Sequence, residues 1–148
     1  MTRVTESGRR RAREALFRVA YQADIAGDRY AEAWSTRRDT ERLSDDQTQL
    51  VEDVVKVLDD RHAEIDATLA AAASHWPLER LAATDRSVLR AAVAELLGRP
   101  GTPARVVLDE AVDLARRYGT DASGSFVNGV LDPVARRLRP DEFSGKAS

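Results

Sequence analysis

An all-α protein of about seven helices is the fold class this sequence predicts, and three observations predict it. Apolar residues recur at steps of three and four through every long segment between Gly8 and Leu138. No segment alternates with the period of two that a half-buried strand requires. Helix start and stop signals punctuate the chain: the capping-box pattern Ser44-Asp45-Asp46-Gln47, the pair Thr102-Pro103, and glycines at 27, 98 and 119. At 148 residues the chain is expected to form one domain with its own core.

Each element follows from its own spacing. Residues 1–6 are expected to be a disordered lead, so that the single domain spans 7–139 and 140–148 are a flexible tail. Ser7 or Gly8 opens a first helix that Gly27 ends. Ala12, Leu16, Val19, Ala20 and Ala23 form its buried face, with Phe17 and Tyr21 on a neighbouring one. Tyr30, Ala33 and Trp34 mark a shorter second helix over 28–38, followed by a polar loop from Arg38 to Leu43. Ser44 caps a third helix carrying Leu50, Val51, Val54, Val55 and Leu58; at Asp59-Asp60 the chain bends or continues. Ile65, Leu69, Ala72 and Ala73 form the next amphipathic stretch. Trp76-Pro77 interrupts the helix, because the residue before proline is pushed out of the helical region. Leu78 and Leu81 anchor a short turn. Thr84 or Asp85 then caps a helix with Val88, Leu89, Ala92, Val93, Leu96 and Leu97 facing inward.

Thr102 is the expected N-cap of the next helix, with Pro103 at its first position. Val107, Ala111, Leu114 and Tyr118 share one face, and Gly119 stops it as a residue free to adopt positive φ. A loop over 120–124 leads to a last helix with Phe126, Val127, Val130, Leu131, Val134 and Leu138. Asn128-Gly129 inside it is a hairpin signal. The flanking apolar pairs are too short for strands, so Gly129 is read as a point of close approach by another helix.

Composition removes whole classes of function. There is no cysteine, hence no disulfide framework and no thiol chemistry. The N-terminus lacks the apolar core of a secretory signal, and no apolar run approaches the roughly 18 residues of a membrane span. No membrane association and a cytoplasmic location are the expectations. His62 and His75 stand alone, and no dinucleotide or nucleophile motif is present. Asp109, Glu110 and Asp113 could share a helix face, but are expected to be solvated or in ion pairs with Arg116 and Arg117 rather than to run acid/base work or hold a metal. Neither a cofactor nor a metal is expected, and the chain does not read as an enzyme.

The formal net charge of −2 hides an asymmetry: residues 1–21 carry +4 and the remainder −6. At about 100° per residue, Arg9, Arg10, Arg11 and Arg13 spread too widely for one buried face. They are therefore expected to project into solvent or onto a partner. Cations at a helix N-terminus oppose its dipole, at about 0.3–1 kcal/mol each. The run is either a solvated charged face or a phosphate-binding one, for which the planar fork of arginine is suited. Tyr21 and Phe126 are either core or stacking platforms for bases.

Three segments, in order, carry a family resemblance. The run from Arg9 to Tyr21, RRRAREALFRVAY, resembles the arginine-rich first helix of the NusB family of transcription antitermination factors. The run from Trp76 to Leu97 resembles that family's central segment. The run from Asp109 to Asp132, with DEAVDLARRYG and FVNGVLD, resembles its C-terminal signature. The resemblance implies two small helical bundles packed together and a non-enzymatic RNA-binding protein. It implies binding to boxA RNA of ribosomal RNA transcripts with NusE, a small-subunit ribosomal protein, and assembly with NusA, NusG and RNA polymerase. It places Arg9, Arg10, Arg11, Arg13, Tyr21 and Phe126 at or near RNA, and Asp85 and Arg86 near RNA and the partner protein. One departure stands out: the family often has an acidic residue directly before the loop serine, whereas here Ala122 precedes Ser123 and the acid is one place earlier, at Asp121. Both monomers and homodimers occur among such proteins. The rival expectation is a helical protein-interaction module with no RNA function of its own. A second rival, the N-terminal domain of a ribosomal RNA methyltransferase, lacks a cofactor-binding segment in this sequence.

Overall fold

The structure, a computed structural model, describes residues 6–143. It is helical throughout: α1 (Glu6–Ala26), α2 (Tyr30–Glu41), α3 (Asp45–Asp60), α4 (His62–Ala72), α5 (Ala83–Gly98), α6 (Ala104–Tyr118) and α7 (Ser123–Leu138). Short 3-10 turns cover Leu78–Arg80 and Pro140–Glu142. Of the expected disordered lead, residues 1–5 lie outside the described residues, and Glu6 already belongs to α1. Of the expected tail, 144–148 lie outside them too, while the stretch from 140 to 142 is an ordered turn.

The helices form two groups around α5. Helices α1, α2 and α3 pack on one another, α6 and α7 pair, and α5 touches both groups, with α4 against α5 and α7. Helix α5 is therefore buried almost all round, Ala91, Ala94 and Glu95 as well as the expected face. Its alanines let neighbours approach closely on the faces that lack large side chains. Leu16, Leu50, Leu58, Ile65, Leu69, Leu89, Leu108 and Leu131 are essentially fully enclosed. Each such side chain contributes about 1.5–3 kcal/mol by leaving water.

Local chemistry sets the ends. Gly27 adopts φ +73°, the left-handed value that releases the chain from α1. The capping box at Ser44 forms as its pattern predicts: the Gln47 amide donates to Ser44 Oγ at 3.3 Å, and the Ser44 amide to Gln47 Oε1 at 2.8 Å. The chain bends after Asp60, at Arg61, which has φ −122°.

Several expected boundaries move, each for a physical reason. Helix α2 continues through the predicted loop to Glu41, because Arg18 and Arg37 both donate to the Glu41 carboxylate and hold that turn. Helix α6 starts at Ala104 without a Thr102 cap; its first amide donates to Glu142 Oε1 at 2.7 Å. Arg139 fixes that arrangement by donating to the carbonyls of Leu96, Arg99 and Thr102. Gly119 has φ −102°, so its role is space and not positive φ: a Cβ there would collide with Ser123 Oγ and lie 2.8 Å from the Ala115 carbonyl. Gly129 faces open space, not a neighbouring helix. It sits one turn before Pro133, whose missing N–H leaves the Gly129 carbonyl without its helical donor.

Candidate nucleic-acid interface

Helix α1 carries the basic segment, and the structure divides it. Arg10 and Arg11 are exposed and Arg9 is half-buried. Arg13 departs from expectation: it is 3% exposed and forms a multiply hydrogen-bonded ion pair with buried Glu95 of α5, Nη2 to Oε2 at 2.9 Å. The wide angular spread of the four arginines is real. One of them nevertheless points inward, because α5 offers a carboxylate inside the core. Arg10 grips Glu110 of α6 side-on, Nε to Oε1 at 3.0 Å and Nη2 to Oε2 at 2.9 Å. Among the described residues Arg11 has a backbone carbonyl as its partner, that of Glu41 at 3.4 Å, and no carboxylate.

Further along α1 an aromatic ledge forms. Phe17 is buried and Tyr118 stacks on it with ring centres 4.7 Å apart. Tyr21 follows one turn later, 6.0 Å from Phe17. Tyr21 is 39% and Tyr118 40% exposed, so both present ring surface outward. Tyr118, expected on the buried face of α6, lies instead at its open end.

The second aromatic site is an open groove of ≈ 290 Å³ between the Trp76–Ala82 segment, the start of α5 and the start of α7. Trp76, Arg80, Asp85, Thr120, Ser123 and Phe126 line it. Trp76 and Phe126 meet edge-to-face at 6.4 Å, and Trp76 is 58% exposed. Asp85 is not the N-cap, and neither is Thr84; Ala82 precedes α5 and both fall in its first turn. Asp85 Oδ1 is shielded from solvent yet has no hydrogen-bond partner among the described residues. The turn before α7 is held by Ser123, whose Oγ accepts the Thr120 amide at 2.9 Å. Asp121 is exposed in that turn.

Arg86, beside Asp85, faces the protein. Its Nε and Nη2 bind Asp24 of α1 at 3.1 and 2.7 Å, and its Nη1 donates to the carbonyls of Leu78 and Leu81. Arg90 binds Asp24 and Asp66 from the next turn. Burial opposes the charge on Asp24, but the two arginines outweigh it and hold its pKa below the ordinary carboxylate value. This network ties the end of α1 to the groove wall, so that Tyr21 and Asp85 belong to the same end of the molecule.

The structure thus brings Tyr21, Asp85 and Phe126 to one region. It leaves Arg9, Arg10 and Arg11 at the start of α1, about three helical turns before Tyr21. It turns Arg13 and Arg86 inward as supports. Sequence reasoning passed over Trp76, Arg80 and Tyr118. Position offered a signal for the two aromatics, each of which sits directly beside a helix-ending residue, Pro77 or Gly119. Of the acidic trio on α6, Asp113 pairs with Arg117 and Glu110 with Arg10, while Arg116 lies over Gly124. Among the described residues no group of three histidine or acidic side chains is arranged to hold a metal ion. Among them, too, no helix is long and apolar enough to cross a membrane.

Known proteins match this chain over most of its length. Residues 9–136 fit the model of the NusB family. A transcription antitermination protein NusB from Anaeromyxobacter dehalogenans is 40% identical over 138 residues, covering 90% of this chain and 94% of its own. Its counterpart from Sorangium cellulosum is 42% identical over 132 residues, covering 89% and 91%. Among solved structures, T. maritima NusB superposes with a TM-score of 0.84 at 32% identity, over 92% of this chain and 96% of that one. A chain of the crystal structure of antitermination factors NusB and NusE in complex with dsRNA superposes with a TM-score of 0.78 at 27% identity, over 88% and 98%.

Proposed function

The chain belongs to the NusB family, and we propose that it captures a boxA segment of nascent ribosomal RNA together with NusE and tethers it to elongating RNA polymerase. It is a transcription antitermination factor and not an enzyme. The observation that carries the proposal is the pairing of an exposed basic helix end with the aromatic groove at Phe126, in a fold matched by the NusB–NusE–dsRNA structure.

The division of labour follows from the chemistry. Arg9, Arg10 and Arg11 bind phosphates, which gives affinity without sequence information. Tyr21 and Phe126, with Trp76 beside it, offer faces for stacking unpaired bases. Asp85 accepts a hydrogen bond from a base edge or from the partner protein. Arg13 and Arg86 act from inside, fixing α1 against α5 and the groove wall. NusE binds the RNA together with this protein, and NusA and NusG complete the link to polymerase in the cytoplasm. A homodimer that covered the basic end would be a resting form.

The test is salt dependence. Replacing Arg10 and Arg11 together with Ala is expected to weaken RNA binding and to flatten its salt slope. The slope should fall by about 0.7 for each phosphate of a single strand that is no longer neutralised. An unchanged slope would mean that these arginines do not touch phosphate, and would favour a module that binds only proteins.

A further inference from the structure

The arginines at the start of α1 are not equally available to a phosphate. Arg10 is already occupied: both its Nε and Nη2 are on the carboxylate of Glu110, in the side-on geometry that a phosphate would also use. Glu110 is well placed to hold on, since its side chain is only 12% exposed while that of Arg10 is 55% exposed. The hydrogen bond from Arg10 to Glu110, with the charges of Glu110, Asp113 and Glu14, raises the Arg10 pKa further. The surroundings reinforce this. Arg10 borders an open cleft of ≈ 490 Å³ lined also by Asp109, Glu110, Asp113 and Arg116, with Asp113 paired to Arg117. Among the described residues Arg11, one residue on, has a carbonyl partner and no carboxylate. Two adjacent arginines therefore differ in kind, one with its charge offset and one without.

We infer that Glu110 is a specificity-determining residue for RNA: it occupies Arg10 in place of a phosphate, so that a transcript reaches that guanidinium only by displacing it. The inference rests on the RNA-binding function proposed for this surface. Non-specific RNA binding scales with the number of phosphates neutralised and counterions released. With Arg10 satisfied internally, a strand lying loosely against α1 has one phosphate fewer neutralised. A strand held by its bases at the Tyr21 and Phe126 end presents its next phosphates to Arg10 at high effective concentration and can compete with Glu110. The carboxylate thereby penalises the wrong RNA more than the right one, which is how specificity arises as a difference of affinities.

The experiment is fluorescence anisotropy of a boxA RNA oligonucleotide and a scrambled one with wild type, Glu110→Gln, Arg10→Ala and the double variant, at two salt concentrations. Glutamine keeps the size of Glu110 and removes its charge; Glu110→Ala provides a second variant of the same sign, and circular dichroism confirms the helices of each. Glu110→Gln is expected to tighten scrambled RNA about two- to fivefold, the factor an exposed ion pair can account for, and boxA RNA less. Its salt slope should steepen by about 0.7. In the Arg10→Ala background the tightening should vanish. Weaker or unchanged binding by Glu110→Gln would show that Glu110 positions Arg10 or does nothing, and would overturn the inference. So would a tightening that persists without Arg10, which would be mere removal of negative charge. Wild type that binds neither RNA would fail the RNA-binding function itself, a result separate from either of these.

Discussion

At the scale of single residues, identity is legible in sequence but direction is not. Arg10, Arg11 and Arg13 form one basic run, yet one is ion-paired at the surface, one rests on a carbonyl and one is buried on Glu95. Nothing local distinguishes them, because the carboxylates that do so lie 100 and 82 residues away in the chain. Phe126 is similar: its helical spacing fits core or surface, and the structure makes it half-buried, with its ring against Trp76. Stacking of one base on an aromatic is worth about 1–3 kcal/mol by alanine substitution. Phe126→Ala should therefore weaken RNA binding by about that much, with Phe126→Trp retaining it, as read by anisotropy on variants whose melting temperatures have been checked. Equal binding by Phe126→Ala would remove this ring from the interface.

At the scale of elements, periodicity located all seven helices, and the errors lie at their ends. Ser44 and Gln47 are close enough in sequence to announce the start of α3. The start of α6 is capped by Glu142, which no local pattern could reveal. The same holds where α1 meets α5, with the side chains of Arg13 and Glu95 almost wholly buried. A buried pair is costly to break, because the remaining charge is left without a partner or water. Arg13→Ala or Glu95→Ala alone should lower unfolding free energy by about 3–5 kcal/mol in urea denaturation. Replacing both by apolar residues, Arg13→Met with Glu95→Leu, should recover most of that stability. A double variant as unstable as the worse single one would show that the pair contributes more than its mutual neutralisation.

At the scale of the whole molecule, length and hydrophobic periodicity indicate one helical domain, and the resemblance of three segments implies two packed bundles. The charged links between elements were invisible, since each joins residues distant in the chain: Asp24 with Arg86 and Arg90, and Glu41 with Arg18. Both carboxylates are held below their ordinary pKa. For Glu41 the hydrogen bond from Arg18 leads; for Asp24 burial is the largest influence, but the arginines together prevail over it. A depressed pKa in the folded state stabilises it above the unfolded value, and that stability is lost as pH falls through the folded one. The urea midpoint should thus hold near neutrality and fall below about pH 4. Asp24→Asn should be less stable than wild type at pH 7, with the gap narrowing in acid; a gap independent of pH would contradict the assignment. The proposed RNA surface combines a basic helix end with an aromatic groove and is completed by NusE. It is tested most directly by anisotropy of boxA and scrambled RNA with and without NusE, at two salt concentrations. The expected result is a preference for boxA that tightens when NusE is added and weakens with salt. No binding to either RNA by the monomeric protein with NusE present would contradict it.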